Sequence, residues 1–138
     1  GVLTVDSPIE HISPLQAALA ARGIDCIFLI APTTTPERIA AIAEKASGFI
    51  YYVSLKGVTG SARLDTEAVA HQIALLRQYT DLPIGVGFGI RDAQSAAQIA
   101  QVADAVIVGS RIVQEIEKQP AQAVRAVADL VRELKAAV

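Results

Sequence analysis

The sequence contains no methionine and no tryptophan, one cysteine, and only three tyrosines and three phenylalanines among 138 residues. Without a methionine, Gly1 is not a translation start, and the chain is expected to begin inside a larger protein or after a cut. The lone Cys26 cannot form an internal disulfide, which fits a cytosolic compartment, and its apolar setting reads as core rather than as a nucleophile. No apolar run approaches the roughly 18 residues of a membrane span, and no signal-peptide pattern is present, so a soluble, membrane-free protein is expected. Basic runs and aromatic-interleaved basic patches are missing too, and the formal net charge is −2, so nucleic-acid binding has no support. No metal-ligand set is read.

What is present is aliphatic. Hydrophobic residues make up 52% of the chain and aromatic ones 4%, so the core must be built from Ala, Val, Ile and Leu. That palette suits a parallel sheet covered by helices, and the length suits one domain with a real core. Short apolar runs that read as strands begin near residues 2, 26, 49, 84 and 105. Val2–Val5 stops at Asp6, which is either a turn cap or a functional group at a strand end. Cys26–Ile30 shows no alternation, so both its faces are expected to be buried. In Phe49–Val53 the neighbours Tyr51 and Tyr52 must point to opposite faces, and one of them is expected to face a barrel interior or mouth.

Helices are expected between the strands. Ser13 reads as the cap of a helix with Pro14 at its first position, stopped by Gly23. Thr35-Pro36-Glu37 opens a helix with Ile39, Ile42 and Ala43 on its apolar face. Asp65 or Thr66 caps a helix running to about Tyr79; His71 on it reads as a structural or solvated histidine, and His11 earlier as a surface residue. Asp92 caps a helix over Ala93–Val102, a short helix follows over Arg111–Lys118, and Pro120–Val138 carries Ala123, Val124, Val127, Leu130, Val131 and Leu134 at helical spacing. Leu55–Leu64 breaks the rhythm as the longest loop, and such loops in compact domains are lids, binding loops or disordered.

The stretch from Pro83 to Ser110 is the informative one. Two strands in succession end in glycine turns, at Gly87, Gly89 and at Gly109, and Gly109-Ser110 opens a helix. Glycine lets the backbone approach a ligand, and N–H groups at strand ends backed by a helix N-terminus form an anion site. The glycines could instead only make tight turns; the paired arrangement, after the last two strands, favours the phosphate position of a barrel. No Gly-x-Gly-x-x-Gly follows the first strand and no acidic residue ends the second, which disfavours a dinucleotide fold. The expected architecture is α/β, of the (βα)8 TIM-barrel type. About five of the eight βα units are present, and residues 1–138 form a single partial barrel domain carrying the phosphate-binding half. About three units are expected to be missing ahead of Gly1.

At Val-Asp-Ser-Pro-Ile-Glu (5–10), Tyr-Tyr-Val-Ser-Leu-Lys-Gly-Val-Thr-Gly (51–60), Gly-Phe-Gly-Ile (87–90) and Val-Gly-Ser-Arg-Ile-Val (108–113), the chain resembles the tryptophan synthase alpha subunit, over the C-terminal half of that family's barrel. The resemblance implies a lyase of tryptophan biosynthesis that cleaves indole-3-glycerol phosphate to indole and glyceraldehyde 3-phosphate. Indole would pass to a beta subunit that holds pyridoxal phosphate, within a cytoplasmic heterotetramer; the alpha subunit itself would need no cofactor. By the same resemblance the substrate phosphate rests on Gly60, Gly87, Phe88, Gly89, Gly109 and Ser110. The loop holding Gly57–Gly60 would be a lid with Thr59 closing on the site, Tyr51 would stand at the active-site mouth, and Asp6 and Pro8 would face the partner. The family's glutamate acid/base and its indole-contacting aspartate lie on earlier strands, outside this sequence. Thr59 and Tyr51 can support but not replace them, because carbon–carbon cleavage needs proton transfer by a positioned group. Two functions are compatible with this: the lyase, if these residues are part of a complete chain, or a non-catalytic phosphate-binding half-barrel that retains its missing N-terminal half or self-associates. Another phosphosugar barrel enzyme would share the phosphate site without the Gly-Val-Thr-Gly lid.

Overall fold

The structure, a computed structural model, describes residues 1–5, 7–54, 66–87 and 89–138. Its strands are β1 (Val2–Leu3), β2 (Cys26–Ile30), β3 (Ile50–Val53), β4 (Ile84–Gly87) and β5 (Ala105–Ile107). Its helices are α1 (Ser13–Ala20), α2 (Pro36–Lys45), α3 (Thr66–Leu76), α4 (Ala93–Ala100), α5 (Ser110–Lys118) and α6 (Ala123–Ala137), with single 3-10 turns at Ile9–His11 and Pro120–Gln122.

All neighbouring strands pair in parallel, and their order in the sheet is their order in the chain. A doubly wound sheet reverses direction at a switch point; this one does not, so the five units form an arc of a barrel. The register drifts as a barrel requires. Cys26 and Ile27 pair with β1, whereas Phe28, Leu29 and Ile30 pair with β3.

The core lies on one side of the sheet. Cys26, Phe28, Ile30, Ile50, Tyr52, Ile84 and Val86 alternate toward the helices, where they meet Ile12, Leu19, Ile39, Ile42, Val69, Ile73, Leu76, Ile99, Leu130 and Leu134. Burying each such side chain contributes about 1.5–3 kcal/mol relative to exposure. The opposite, concave face carries Ile27, Leu29, Tyr51 and Val53, of which only Ile27 is buried. Tyr52 therefore enters the helix layer and Tyr51 the barrel interior.

Local chemistry explains the starts of α2 and α4. The Thr35 hydroxyl accepts from the N–H of Arg38, 3.4 Å away, with Pro36 in the first turn of α2. Asp92 and Ser95 form a reciprocal capping box on α4. Some expectations differ in detail: α3 stops at Leu76 rather than near Tyr79, α4 at Ala100 rather than Val102, and a 3-10 turn at Pro120–Gln122 precedes α6. β1 ends at Leu3 rather than Val5, and Val5 is exposed. Ser13 is the first residue of α1 rather than its cap, because Ile12 takes the cap position with helical dihedrals and no side-chain bond. Within α6 only Leu130 and Leu134 are buried; Val124 is 88% and Val131 44% exposed, since the single sheet-facing stripe is narrower than the run of aliphatic residues. Beside edge strand β5 this leaves an apolar groove of about 280 Å³, lined by Val106, Val108, Ile112, Val131, Leu134 and Val138. No helix among the described residues is long and apolar enough to cross a membrane.

Candidate functional site

The C-terminal ends of β3, β4 and β5 stand level, because Val53 pairs with Gly87 and Gly87 with Ile107. Gly89 and Gly109 each lie two residues beyond a member of that row, so both glycine turns leave the sheet from adjacent strand ends. Gly89 has φ +81°, in the left-handed region that side chains other than glycine rarely adopt. Gly87 is needed for a different reason. A Cβ built on it would collide with the Tyr51 hydroxyl oxygen and fall 2.5 Å from Cζ and 3.1 Å from Cε1. The phenol therefore lies across β4, and β4 must be bare at that point. Two residues back along β4, a Cβ on Gly85 would come within 2.8 Å of Ile107 Cδ1 and 3.3 Å of Phe49 Cε2. The concave face is thus an apolar, aromatic floor laid over a glycine strand.

The two helix N-termini at this rim differ. The α4 terminus is occupied by its own carboxylate: Asp92 Oδ1 accepts from the N–H of Ser95 at 2.8 Å. The α5 terminus is capped by Gly109, which has no side chain to offer, and no side-chain cap bond is made there. Its opening N–H groups and positive dipole end are available to an anion. A Cβ on Gly109 would meet nothing within 4 Å, so there is open room above this turn. Ser110, the first residue of α5, is exposed there.

The ionisable groups at the ends of β3, β4 and β5 have settled roles. Burial pushes the Tyr51 phenol above its ordinary value, so at neutral pH it is a hydrogen-bond donor and no base. The Ser95 backbone and hydroxyl bonds hold Asp92 below the usual carboxylate range. At the opposite, N-terminal edge of the sheet, Asp104 is held low chiefly by the N–H of Ile84, 2.7 Å from its Oδ2, with Arg77 pairing to the same oxygen. Both carboxylates stay ionised near pH 7, outside the range useful for proton transfer. The site as described can bind and orient an anionic ester but holds no acid/base among these groups.

Of the residues singled out in the sequence, Tyr51, Gly87, Gly89, Gly109 and Ser110 are brought to one rim of the sheet. Thr59 and Gly60, Phe88 and Asp6 lie outside the described residues, as does the rest of the 55–65 stretch. Pro8 is exposed on the segment after β1. Sequence reasoning missed Ser54. It is buried at the end of β3, and its hydroxyl donates to the carbonyl oxygen of Gly87 at 3.0 Å. The signal that could have found it is a lone polar residue continuing an apolar strand beside a glycine-ended neighbour.

The family profile described as tryptophan synthase alpha chain matches residues 1–138, the whole chain. The chain belongs to the tryptophan synthase alpha chain family. A tryptophan synthase alpha chain from Neisseria meningitidis serogroup B is 64% identical over 138 residues, which is 100% of this chain and 53% of the relative. The alpha chain of Chromobacterium violaceum is 60% identical over 139 residues, again 53% of its length. Among solved structures, Mycobacterium tuberculosis tryptophan synthase superposes with a TM-score of 0.85 at 40% identity, covering all of this chain and 51% of that one. The chain matched in the tryptophan synthase a2b2 complex from Pyrococcus furiosus gives 0.83 at 30% identity, covering 99% of this chain and 55% of that one. The chain thus spans about half the length of the curated relatives it matches. Its parallel arc is half of this family's TIM barrel.

Proposed function

We propose that this chain supplies the phosphate-anchoring half of an enzyme that cleaves indole-3-glycerol phosphate to indole and glyceraldehyde 3-phosphate. The observation that carries the reading is the rim: two glycine turns side by side, with the α5 N-terminus left open where the α4 N-terminus is filled by Asp92. The substrate phosphate sits among Gly87, Gly89, Gly109 and Ser110, joined by Phe88 and Gly60. Tyr51 lines the apolar floor on which the indole ring rests, and Thr59 closes over the ester. Asp6 and Pro8 face a beta subunit, which holds the pyridoxal phosphate, while the alpha chain works without a cofactor. The setting is cytoplasmic, and residues 1–138 act as one partial-barrel domain.

The rim carboxylate Asp92 is committed to a helix cap, and Asp104 clamps the start of β4 at the opposite, N-terminal edge of the sheet. That favours a division of labour in which these 138 residues bind the ester and carboxylates on other strands move the protons. By itself the chain is a binding half-barrel.

The test is calorimetric titration with glycerol 3-phosphate. Gly109→Asp places a negative side chain in the open room above the turn. It is expected to weaken binding at least tenfold, about 1.4 kcal/mol. Unchanged affinity would remove the phosphate assignment.

A further inference from the structure

Among the described residues Ser54 is the single buried polar side chain, 3% exposed. Its backbone N–H donates to the carbonyl oxygen of Gly87 at 3.0 Å, and its hydroxyl donates to the same oxygen, also at 3.0 Å. A parallel ladder needs only the first of these bonds. A buried hydroxyl is unfavourable unless bonded, and here a bond goes to the last carbonyl of β4. On its concave side Gly87 is covered by the Tyr51 ring. The residue is therefore held at its carbonyl by Ser54 and over its Cα by Tyr51.

That hold matters because Gly87 leads directly into the turn at Gly89. Glycine has the widest conformational freedom of any residue, and Gly89 already occupies the left-handed region at φ +81°. A glycine turn left loose would have to be ordered by its ligand, and that ordering subtracts from affinity. We propose that Ser54 is a positioning residue of the phosphate site: its hydroxyl fixes the Gly87 carbonyl, the last of β4, two residues ahead of the turn at Gly89. This rests on the phosphate reading of the rim and adds to it a residue on a neighbouring strand that touches no ligand itself.

The test compares the unsubstituted chain with Ser54→Ala and Ser54→Thr, by calorimetry with glycerol 3-phosphate and by the ¹³C shift of the Gly87 carbonyl carbon. Ser54→Ala is expected to weaken binding about tenfold, or 1.4 kcal/mol, and to move the Gly87 carbonyl shift. Ser54→Thr keeps the hydroxyl and is expected to restore both, with affinity within about twofold of the original. If Ser54→Ala does not fold, Ser54→Cys, whose S–H is a weak donor, replaces it with the same expectation. Binding by the folded Ala or Cys variant equal to that of the unsubstituted chain overturns the role of Ser54 and leaves the phosphate reading standing. No binding by the unsubstituted chain overturns the phosphate reading, and the role of Ser54 with it.

Discussion

Replacing Gly87 by alanine probes the contact on which the concave face is built. The added methyl would enter the Tyr51 ring, with Cζ at 2.5 Å and Cε1 at 3.1 Å and the hydroxyl nearer still. Gly87 lies in a regular strand, so the cost is one of packing and not of backbone strain. Overpacking of this kind costs about 1–3 kcal/mol. Tyr51 is only half-buried and can swing toward the open side, which puts the expected value at about 1–2 kcal/mol. For a domain of this length that lowers the melting temperature by about 3–8 °C. Urea unfolding of Gly87→Ala is compared in three backgrounds: Tyr51, Tyr51→Phe and Tyr51→Ala. Phenylalanine removes the oxygen but keeps Cζ, so most of the cost is expected to persist. Alanine removes every clashing atom, and the cost is expected to fall below about 0.5 kcal/mol, a coupling of about 1–2 kcal/mol between the two positions. An equal cost in all three backgrounds would refute the reasoning, because the methyl would then be colliding with something other than Tyr51.

Three further outcomes are expected. Asp92→Ala removes the cap of α4 and is expected to cost about 1 kcal/mol in chemical denaturation; a change under about 0.3 kcal/mol would show that Ser95 holds the helix start alone. Asp104 has a folded pKa below its ordinary value, chiefly through the N–H of Ile84, so its contribution is whole above about pH 4 and is lost as the pH falls through the lowered value. Asp104→Asn is therefore expected to flatten the loss of stability below about pH 4, about 1 kcal/mol for this half-exposed group, and parallel curves would contradict that. Expressed as these 138 residues, the chain presents β1 and β5 as open edges beside an apolar groove, and sedimentation is expected to show self-association through them. A monomer with a sharp cooperative melt and no dye binding would show that the arc closes its own core.

The arc itself was legible because parallel barrels repeat one pattern. Cys26–Ile30 and Ile84–Gly87 are unbroken apolar runs between helix caps, and both strands fall where the runs lie. Thr35 and Asp92 cap the helices they precede. Legibility failed where tertiary context decides. Val5 and Val124 look like core by composition, yet no element among the described residues covers them, and Ser13 satisfies capping statistics while Ile12 holds the position. At the site, the glycine turns were readable as punctuation, and Tyr51 as one of an alternating pair. That Tyr51 lies on Gly87, and that Ser54 grips the Gly87 carbonyl, are cross-strand facts set by register between β3 and β4, which no local pattern encodes. Of the segments that carried the family resemblance, the described parts of 51–60, 87–90 and 108–113 converge on this rim.

The central claim is that an anionic ester binds at the paired glycine turns and the open α5 terminus. Its most direct test is an amide NMR titration of the chain with glycerol 3-phosphate. The account predicts that the saturable shifts cluster at Gly89, Gly109, Ser110 and Arg111, while the N–H of Ser95, already bonded to Asp92, stays still. Shifts centred instead on α4, or no saturable shift at any of the four, would contradict it.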